Sequence, residues 1–314
     1  MTDKRLAGMQ ATTPASHHVE TNGLRLHYLE WGSSNAETVV LLHGLRGHAH
    51  SWDDVSAALA DRYRVLALDQ RGRGETDWPK DGNYATEAFA ADLLGFCDAL
   101  GLAPFTLVGH SMGGRNAMLF AAKHPGRVSA LAVIDVGPEI QPEGAARIRK
   151  EIVDAPERYD SFEAALAPAR LENPLASEAV LRRRVQYQTK PLPDGGIGWR
   201  YDALIREQMR SNTRPAPPDF WARWAEVQCP TLIVRGAETD TLSPAVAERM
   251  VRANPRAELA QVARAAHMVF EDNPAGFIAS LRAWLDVLST GSSRTGYEPP
   301  RRAGAHRHGG PTPG

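Results

Sequence analysis

The sequence predicts an α/β protein with a doubly wound, mostly parallel sheet, because short buried strands alternate with helical segments along most of the chain. Residues 38–42 and 65–68 are apolar without alternation, as expected of strands that are covered on both faces. This rhythm stops after a predicted strand at 128–134 and resumes at 231–234. The interruption predicts one inserted segment within a single α/β core.

The remaining core elements follow from periodicity and from capping residues. Residues 24–30 alternate apolar and polar side chains, which predicts a half-exposed strand before the first buried one. Thr86 is predicted to cap a helix that Gly101 terminates, and Ser243 to cap one that begins at a proline. The predicted core helices cover 51–60, 86–100, 115–123, 244–252 and 274–288, with short strands at 105–108 and near 258–262.

The inserted segment is predicted to be a helical cap over residues 138–228. It holds ten prolines and no buried-strand run, and it has helical stretches at 145–153, 177–187 and 201–209. Such a cap would cover the carboxyl ends of the strands, where open α/β sheets bind ligands. We therefore expect the α/β core at 18–137 and 229–289, with disordered tails at 1–17 and 290–314.

Composition limits the class of function. The 314 residues carry a net charge of −1, which argues against a nucleic-acid or membrane-surface partner. Two cysteines cannot form a disulfide framework, and no run is long and apolar enough for a signal peptide or a membrane span. Scattered histidines such as His48 and His50 do not form a coherent metal-ligand set. We expect a soluble, cytoplasmic monomer or homodimer that acts on a small molecule without metal or cofactor.

The pattern Gly-x-Ser-x-Gly at 109–113 lies between a predicted strand and a predicted helix. Its glycines permit a tight turn that exposes the hydroxyl of Ser111, and the following helix directs its free N–H groups to the same place. The alternative is a glycine-rich turn that happens to contain serine. The flanking elements favour a nucleophile.

Over residues 19–289 the chain resembles the α/β-hydrolase family. The matching motifs, in the family's order, are His43-Gly44, 69–74, 109–113, 235–240 and 266–270. The resemblance implies an eight-stranded, mostly parallel sheet and a Ser…Asp…His catalytic order. It makes Ser111 the nucleophile and His267 the general base.

The catalytic acid has two candidates in this resemblance. Asp240, on the loop after the seventh strand, is the ordinary position and the one we favour. Asp135, after the sixth strand, occupies the position that some relatives use instead, although it could also brace the exit into the cap. Glu238 is a third candidate.

The resemblance also places an oxyanion hole at the backbone N–H groups of Leu45 and Met112. Side chains beside these motifs and large aromatic residues of the insertion are the candidates for the substrate pocket. They are His43, Gly44, Arg46, His110, Trp199, Tyr201, Trp221, Trp224 and Met268.

These residues predict a serine hydrolase that cleaves a small carboxylic ester or lactone through an acyl-enzyme. Serine at position 111 departs from relatives that use aspartate, and Met268 and His110 depart from the pattern of the C–C hydrolases. The alternatives are an amide or C–C hydrolase of a small carboxylate-bearing metabolite, which would suit Asp135 as acid, and a non-catalytic ligand-binding protein.

Overall fold

The computed structural model describes residues 13–290, which form eleven strands, eleven α-helices and a short 3-10 helix at Ala49–Trp52. The strands are Ala15–Thr21 (β1), Leu24–Trp31 (β2), Thr38–Leu42 (β3), Arg64–Leu68 (β4), Phe105–His110 (β5), Val128–Ile134 (β6), Arg158–Tyr159 (β7), Thr189–Pro191 (β8), Ile197–Trp199 (β9), Thr231–Gly236 (β10) and Ala257–Val262 (β11). The helices are Asp53–Leu59 (α1), Thr86–Ala99 (α2), Met112–Lys123 (α3), Pro142–Val153 (α4), Phe162–Glu172 (α5), Glu178–Gln188 (α6), Ala203–Arg210 (α7), Phe220–Ala225 (α8), Pro244–Ala253 (α9), Val269–Asp272 (α10) and Pro274–Ser289 (α11).

Eight strands form the main sheet, in the order β1-β2-β4-β3-β5-β6-β10-β11. The pairs β1–β2 and β2–β4 are antiparallel, and every pair from β4–β3 to β10–β11 is parallel. The predicted fold class is confirmed. Because β5, β6 and β10 are adjacent and parallel, the loops at their carboxyl ends meet at one edge of the sheet.

Two apolar layers cover the two faces of this sheet, which explains why its central strands do not alternate in sequence. Along β3, Val40 and Leu42 pack into one layer while Val39 and Leu41 pack into the other. All four side chains are essentially inaccessible to solvent. A strand buried on both faces needs an apolar residue at every position, and the sequence provides it.

Helix termini follow the predicted capping with one correction. The Ser243 side chain accepts a hydrogen bond from the N–H of Val246, as predicted. Thr86 does not cap α2: it is the first helical residue, and Ala85 precedes it as N-cap without a side-chain hydrogen bond. Gly101, with a φ of 59°, follows the end of that helix.

The inserted segment is not purely helical, which corrects the sequence-based expectation. Helices α4–α8 are joined by a three-stranded antiparallel sheet of order β7-β9-β8. These strands are only two or three residues long, so they show no detectable periodicity. None of the helices within residues 13–290 has the length and apolarity needed to cross a membrane.

The predicted N-terminal tail is also corrected in part. Residues 15–17 belong to β1, which pairs with β2 at the edge of the main sheet. The strand is polar and largely accessible, so its sequence lacks the apolar alternation that would have revealed it. The rest of the disorder predictions, for residues 1–12 and 291–314, lie outside the described residues.

Candidate active site

Ser111 occupies a sharp turn between β5 and α3. Its φ of 54° and ψ of −117° are costly for a residue with a side chain. The turn requires both flanking glycines: a Cβ on Gly109 would lie 2.3 Å from the carbonyl oxygen of Gly113, and one on Gly113 would lie 2.3 Å from that of Leu42. The strained turn presents Ser111 at the carboxyl edge of the sheet, beside the N-terminus of α3.

A continuous chain of hydrogen bonds joins Ser111, His267 and Asp135. The Nε2 atom of His267 lies 3.0 Å from Oγ of Ser111, and its Nδ1 atom lies 2.9 Å from Oδ2 of Asp135. Asp135 is fully buried at the end of β6 and also accepts from the Thr239 hydroxyl, at 2.6 Å, and from the N–H of Gly236, at 3.0 Å. These partners hold the carboxylate in one orientation toward the imidazole.

Asp240, the carboxylate favoured from the sequence, is not the imidazole's partner. Both of its oxygens bind the guanidinium of Arg147 on α4, at 2.6 and 2.8 Å, and Oδ1 also accepts from the Thr241 hydroxyl. The hydrogen bonds and charge of Arg147 lower the pKa of Asp240. The structure therefore pairs Asp135, and not the favoured Asp240, with the imidazole, and a cation from the insertion binds Asp240. Glu238, the third candidate, is not hydrogen-bonded to His267 within residues 13–290.

Two backbone donors stand beside Ser111. Gly44 approaches so closely that a Cβ there would lie 3.3 Å from Cβ of Ser111, which brings the N–H of Leu45 to the same edge. Met112 is the first residue of α3, where the helix leaves its N–H groups unpaired. Within residues 13–290, neither N–H donates a hydrogen bond to another group. Both are therefore available to an oxyanion.

The cleft above Ser111 lies between the core loops and the insertion. It is lined by Gly44, Leu45, Arg46, Gly47, Ser51, His110, Ser111, Ile148, Glu151, Ile152, Arg184, Gln188, His267, Met268 and Phe270. Among the predicted pocket residues, Gly44, Arg46, His110 and Met268 are present. The cleft residues from α4 and α6 were not predicted from the sequence, although Ile148 and Ile152 form an apolar i,i+4 pair on a helix with five charged residues.

The family model described as alpha/beta hydrolase fold matches residues 37–274. The chain belongs to the α/β-hydrolase fold family. It is 30% identical to the sn-1-specific diacylglycerol lipase of Mus musculus, over 81% of this chain and 82% of that one. It is 29% identical to an esterase of Mycobacterium tuberculosis, over 90% and 92% of the two chains.

The 2-(acetamidomethylene)succinate hydrolase of Mesorhizobium japonicum is 27% identical over 87% of this chain and 95% of that relative. A crystal structure of E-2-(acetamidomethylene)succinate hydrolase matches with a TM-score of 0.80 and 26% identity, over 87% of this chain and all of that one. By family and by these relatives, the chain is a hydrolase.

In this α/β-hydrolase, His43 and His110 are neutral imidazoles that hydrogen-bond to backbone groups around the cleft. His43 is fully buried: its Nδ1 donates to the carbonyl oxygen of Gly44, and its Nε2 accepts from the N–H of Gln70. Burial lowers the pKa of His43 to about 4, and that of His110 well below its usual range. His110 donates from Nε2 to the carbonyl oxygen of His267, at 2.8 Å. His43 therefore supports the cleft from below and does not line it, which corrects that prediction.

The four predicted aromatic residues do not line the cleft of Ser111 within the described chain. Trp224 is fully buried and donates to the carbonyl oxygen of Met250. Trp221 lies under the guanidinium of Arg249, and its indole donates to Glu139. Trp199 packs against Tyr159 within the insertion. Tyr201 and Ile205 pack against Tyr84 and Phe89 of the core, in a cluster that Leu45 and Met112 also contact. Apolarity predicted that these side chains are covered, but not which surface covers them.

Charged groups on the His267 side of the cleft neutralise one another. Arg46 binds Glu172 and Glu151, at 2.7 and 3.2 Å, and so joins the loop of Leu45 to helices α4 and α5. Arg184 binds Glu271 at 3.2 Å. Among residues 13–290, no group of three or more histidine, cysteine, aspartate or glutamate side chains could hold a metal ion.

Proposed function

We propose that this α/β-hydrolase is a serine hydrolase that cleaves a small carboxylic ester or lactone through an acyl-enzyme. The observation that carries the proposal is the hydrogen-bonded chain from Ser111 through His267 to Asp135. Its middle member can accept a proton at Nε2 only while Nδ1 carries one, and the buried carboxylate favours that tautomer.

In the proposed reaction, Oγ of Ser111 attacks the carbonyl carbon while His267 takes the hydroxyl proton at Nε2. The N–H groups of Leu45 and Met112 bind the oxyanion that forms. Collapse of this intermediate breaks the bond to the leaving oxygen, which takes the proton from His267. A water molecule then gives a proton to His267 and attacks the acyl group, which forms a second tetrahedral intermediate. Collapse of this intermediate breaks the bond to Oγ, returns the proton from His267 to Ser111 and releases the acid.

The hydroxyl of Thr239 and the N–H of Gly236 fix the orientation of the Asp135 carboxylate, because both donate hydrogen bonds to it. The carboxylate therefore presents Oδ2 to Nδ1 of His267. In the proposed cycle it holds the imidazole in place and stabilises the imidazolium that forms.

The apolar part of the cleft supports an acyl group of modest size. Ile148, Ile152, Met268 and Phe270 provide carbon surface around Ser111, while the charged side chains nearby are already paired. The two relatives named as a diacylglycerol lipase and an esterase act on esters by their names. These features favour ester over amide substrates as the first class to test.

A second candidate function is amide hydrolysis of a small carboxylate-bearing metabolite. The acid at the end of β6 suits this candidate, which the resemblance associated with Asp135. Two amide-cleaving relatives by name, the 2-(acetamidomethylene)succinate hydrolase and the N-formylmaleamate deformylase of Pseudomonas putida, each match over most of the chain at 27% identity. Both relatives are named for a dicarboxylic acid or its derivative.

A fluorophosphonate probe tests the proposal directly. We expect a single covalent adduct on Ser111, seen by intact-protein and peptide mass, and no adduct on Ser111→Ala. A screen of paired esters and amides with the same acyl group then separates the two candidates by kcat/KM. A folded protein that takes no adduct and turns over no substrate would instead be the non-catalytic binding protein, and would refute the proposal.

A further inference from the structure

A second cavity adjoins the cleft of Ser111 on its His267 side. It has a volume of about 220 Å³, against about 70 Å³ for the cleft itself. The two spaces share the lining residues Arg46, Glu151, Arg184, His267 and Met268. Apart from Ala266, the other residues of its wall are polar or charged: Arg147, Glu172, Asn173, Glu238, Asp240 and Asp272. We call this second cavity the polar chamber.

The chemistry of the proposed reaction places the leaving group toward the polar chamber. The leaving oxygen takes its proton from Nε2 of His267, so it must lie beside that imidazole. His267 lines both cavities, whereas the oxyanion donors Leu45 and Met112 do not line the chamber within residues 13–290. The apolar side chains of Ile148 and Ile152 line the cleft and are absent from the described wall of the chamber. An acyl group packed on these apolar side chains therefore leaves the chamber to the alcohol.

The charged groups of the chamber wall are paired in alternation. Arg147 binds Asp240 at 2.6 Å and Glu151 at 2.7 Å. Arg46 binds the same Glu151 at 3.2 Å and Glu172 at 2.7 Å. An ion from a ligand would have to displace one of these partners to form an ion pair with the other. Hydrogen-bonding capacity remains, because each terminal nitrogen of a guanidinium has two N–H groups and each carboxylate oxygen has two lone pairs. The wall therefore offers donors and acceptors side by side.

Two polar atoms of the wall residues also lack a partner in the described part of the chain. Arg184 is 8% exposed, and its Nε has no hydrogen-bond acceptor there, although Nη1 pairs with Glu271 at 3.2 Å. Oδ1 of Asp272 is buried and has no donor within residues 13–290. Buried polar groups are rarely left unsatisfied. The wall thus lacks one acceptor and one donor. A hydroxyl group supplies both, whereas an ammonium group only donates and a carboxylate only accepts.

We propose that the polar chamber binds the leaving group of the substrate, and that this group is an alcohol with further hydroxyl groups, such as glycerol or another small polyol. The proposal rests on the serine hydrolase function given above and names the alcohol half of its ester substrate. The hydroxyl groups exchange their hydrogen bonds with water for hydrogen bonds with the guanidinium and carboxylate groups of the wall. An apolar alcohol of the same size would remove water from these groups without replacing its hydrogen bonds, which weakens binding.

The kinetic test compares 2,3-dihydroxypropyl butyrate with propyl butyrate, which share the acyl group and the carbon skeleton of the alcohol. Each kcat/KM is divided by the rate constant for hydrolysis of that ester by hydroxide, which removes the difference in leaving-group reactivity. We expect the corrected ratio to favour the dihydroxypropyl ester by on the order of 10-fold, as for two hydrogen bonds. The choline ester of butyrate, whose alcohol is a cation, should not exceed the dihydroxypropyl ester.

Substitutions in the chamber wall should reduce this ratio. Arg147→Met combined with Asp240→Leu removes one ion pair as a unit, and Glu151 keeps Arg46 as its partner. We expect this double variant to lose most of the preference. Arg127→Met with Asp98→Leu is the matched control: it removes a partly exposed ion pair, also at 2.6 Å, that lines neither cavity, and should keep the parent ratio.

A second wall variant guards against a folding defect in the double variant. Glu238 is exposed and lines the chamber, and within residues 13–290 it forms no ion pair that its loss would break. Glu238→Leu should lower the corrected ratio in the same direction. Circular dichroism and Tm identify the variants that remain folded.

A binding test does not depend on turnover. In Ser111→Ala, which cannot be acylated, both esters are ligands only, and competition followed by ligand-observed NMR should show several-fold tighter binding of the dihydroxypropyl ester. A corrected ratio near one, a faster choline ester, or a preference that survives the wall variants in folded protein would overturn the polyol site. Absence of fluorophosphonate labelling in the parent protein, with the binding preference intact, would overturn the serine hydrolase and leave the polar chamber as a polyol site.

Discussion

Replacing Asp135 with asparagine is expected to abolish most activity through hydrogen-bond geometry alone. The N–H of Gly236 donates to Oδ1, so the amide oxygen of an asparagine must stay at that position. The amide NH₂ then takes the place of Oδ2, facing His267 Nδ1 at 2.9 Å and the Thr239 hydroxyl at 2.6 Å. A donor now meets Nδ1, where the proton has to be.

The tautomer of His267 that carries its proton on Nε2 then becomes the favoured one. In that tautomer His267 donates toward Ser111 and cannot accept the hydroxyl proton. We expect kcat to fall by about 10³–10⁴, which corresponds to about 4–5.5 kcal/mol of transition-state stabilisation. The alternative amide orientation would place the NH₂ against the N–H of Gly236 and leave a buried donor unpaired, at about 1–3 kcal/mol of stability.

Asp240→Asn is the matched control, since it makes the same chemical change one strand away. Asp240 binds Arg147 and is about a third exposed, with a side-chain accessibility of 37%. Its loss should weaken a partly solvated ion pair by about 1 kcal/mol or less and change kcat by less than about tenfold. Steady-state hydrolysis of a 4-nitrophenyl ester measures both variants, with circular dichroism and Tm as the check on folding.

The reverse pattern would refute this reasoning. If folded Asp240→Asn lost about 10³ in kcat while Asp135→Asn stayed within tenfold, the hydrogen bond between Asp135 and His267 would have no catalytic role. Similar small losses in both variants would mean that neither carboxylate sets the tautomer.

Three further predictions concern the nucleophile, the cleft and a buried acid. Ser111→Ala should lower kcat by on the order of 10⁴–10⁶, measured with the wild-type substrate against a mock-purified blank. Ile148→Ala should change the ratio of kcat/KM between short and long acyl esters by on the order of tenfold, whereas Trp221→Ala, outside the cleft, should keep the parent ratio. Burial raises the pKa of Asp272 from 3.8 to about 6, so the folded protein binds the extra proton and stability falls as the pH rises through this window. Asp272→Asn should therefore raise the Tm at about pH 7.5 but not near pH 4, and a uniform change at both pH values would contradict the assignment.

The sequence predicted what depends on neighbouring residues. The buried strands, the turn at Ser111 and the position of His267 before the last helix are each encoded within a few residues, and the structure has them where they were expected. The choice between two carboxylates was different. Asp135 and Asp240 follow the adjacent parallel strands β6 and β10, so both reach the same edge of the sheet. Asp135 meets the imidazole, whereas Asp240 binds Arg147, 93 residues away in the chain, and neither partner can be read from neighbouring residues.

The pocket was less predictable for a similar reason. Large aromatic side chains in the insertion were expected to be at least partly covered, but apolarity does not distinguish a packing contact from a binding surface. Trp224 packs against α9, and the cleft is instead lined by the smaller residues Ile148 and Ile152 of α4. Only the orientation of α4 over Ser111 identifies them.

The attachment of Arg46 makes the insertion a mechanical partner of the oxyanion loop. Its guanidinium holds Glu151 and Glu172 on two helices, while its own carbonyl oxygen accepts from the Gln188 side chain of a third, at 2.7 Å. The neighbouring residue in the chain is Leu45, whose N–H is one of the two proposed oxyanion donors. Helices α4, α5 and α6 are thus all attached to the same short loop. A displacement of any of them to admit substrate is expected to shift the N–H of Leu45 as well. Substrate entry and the position of the Leu45 N–H therefore depend on the same contacts of Arg46. A bulky ligand that displaces the insertion is expected to shift this N–H and to weaken its hydrogen bond to the carbonyl oxygen of the ligand.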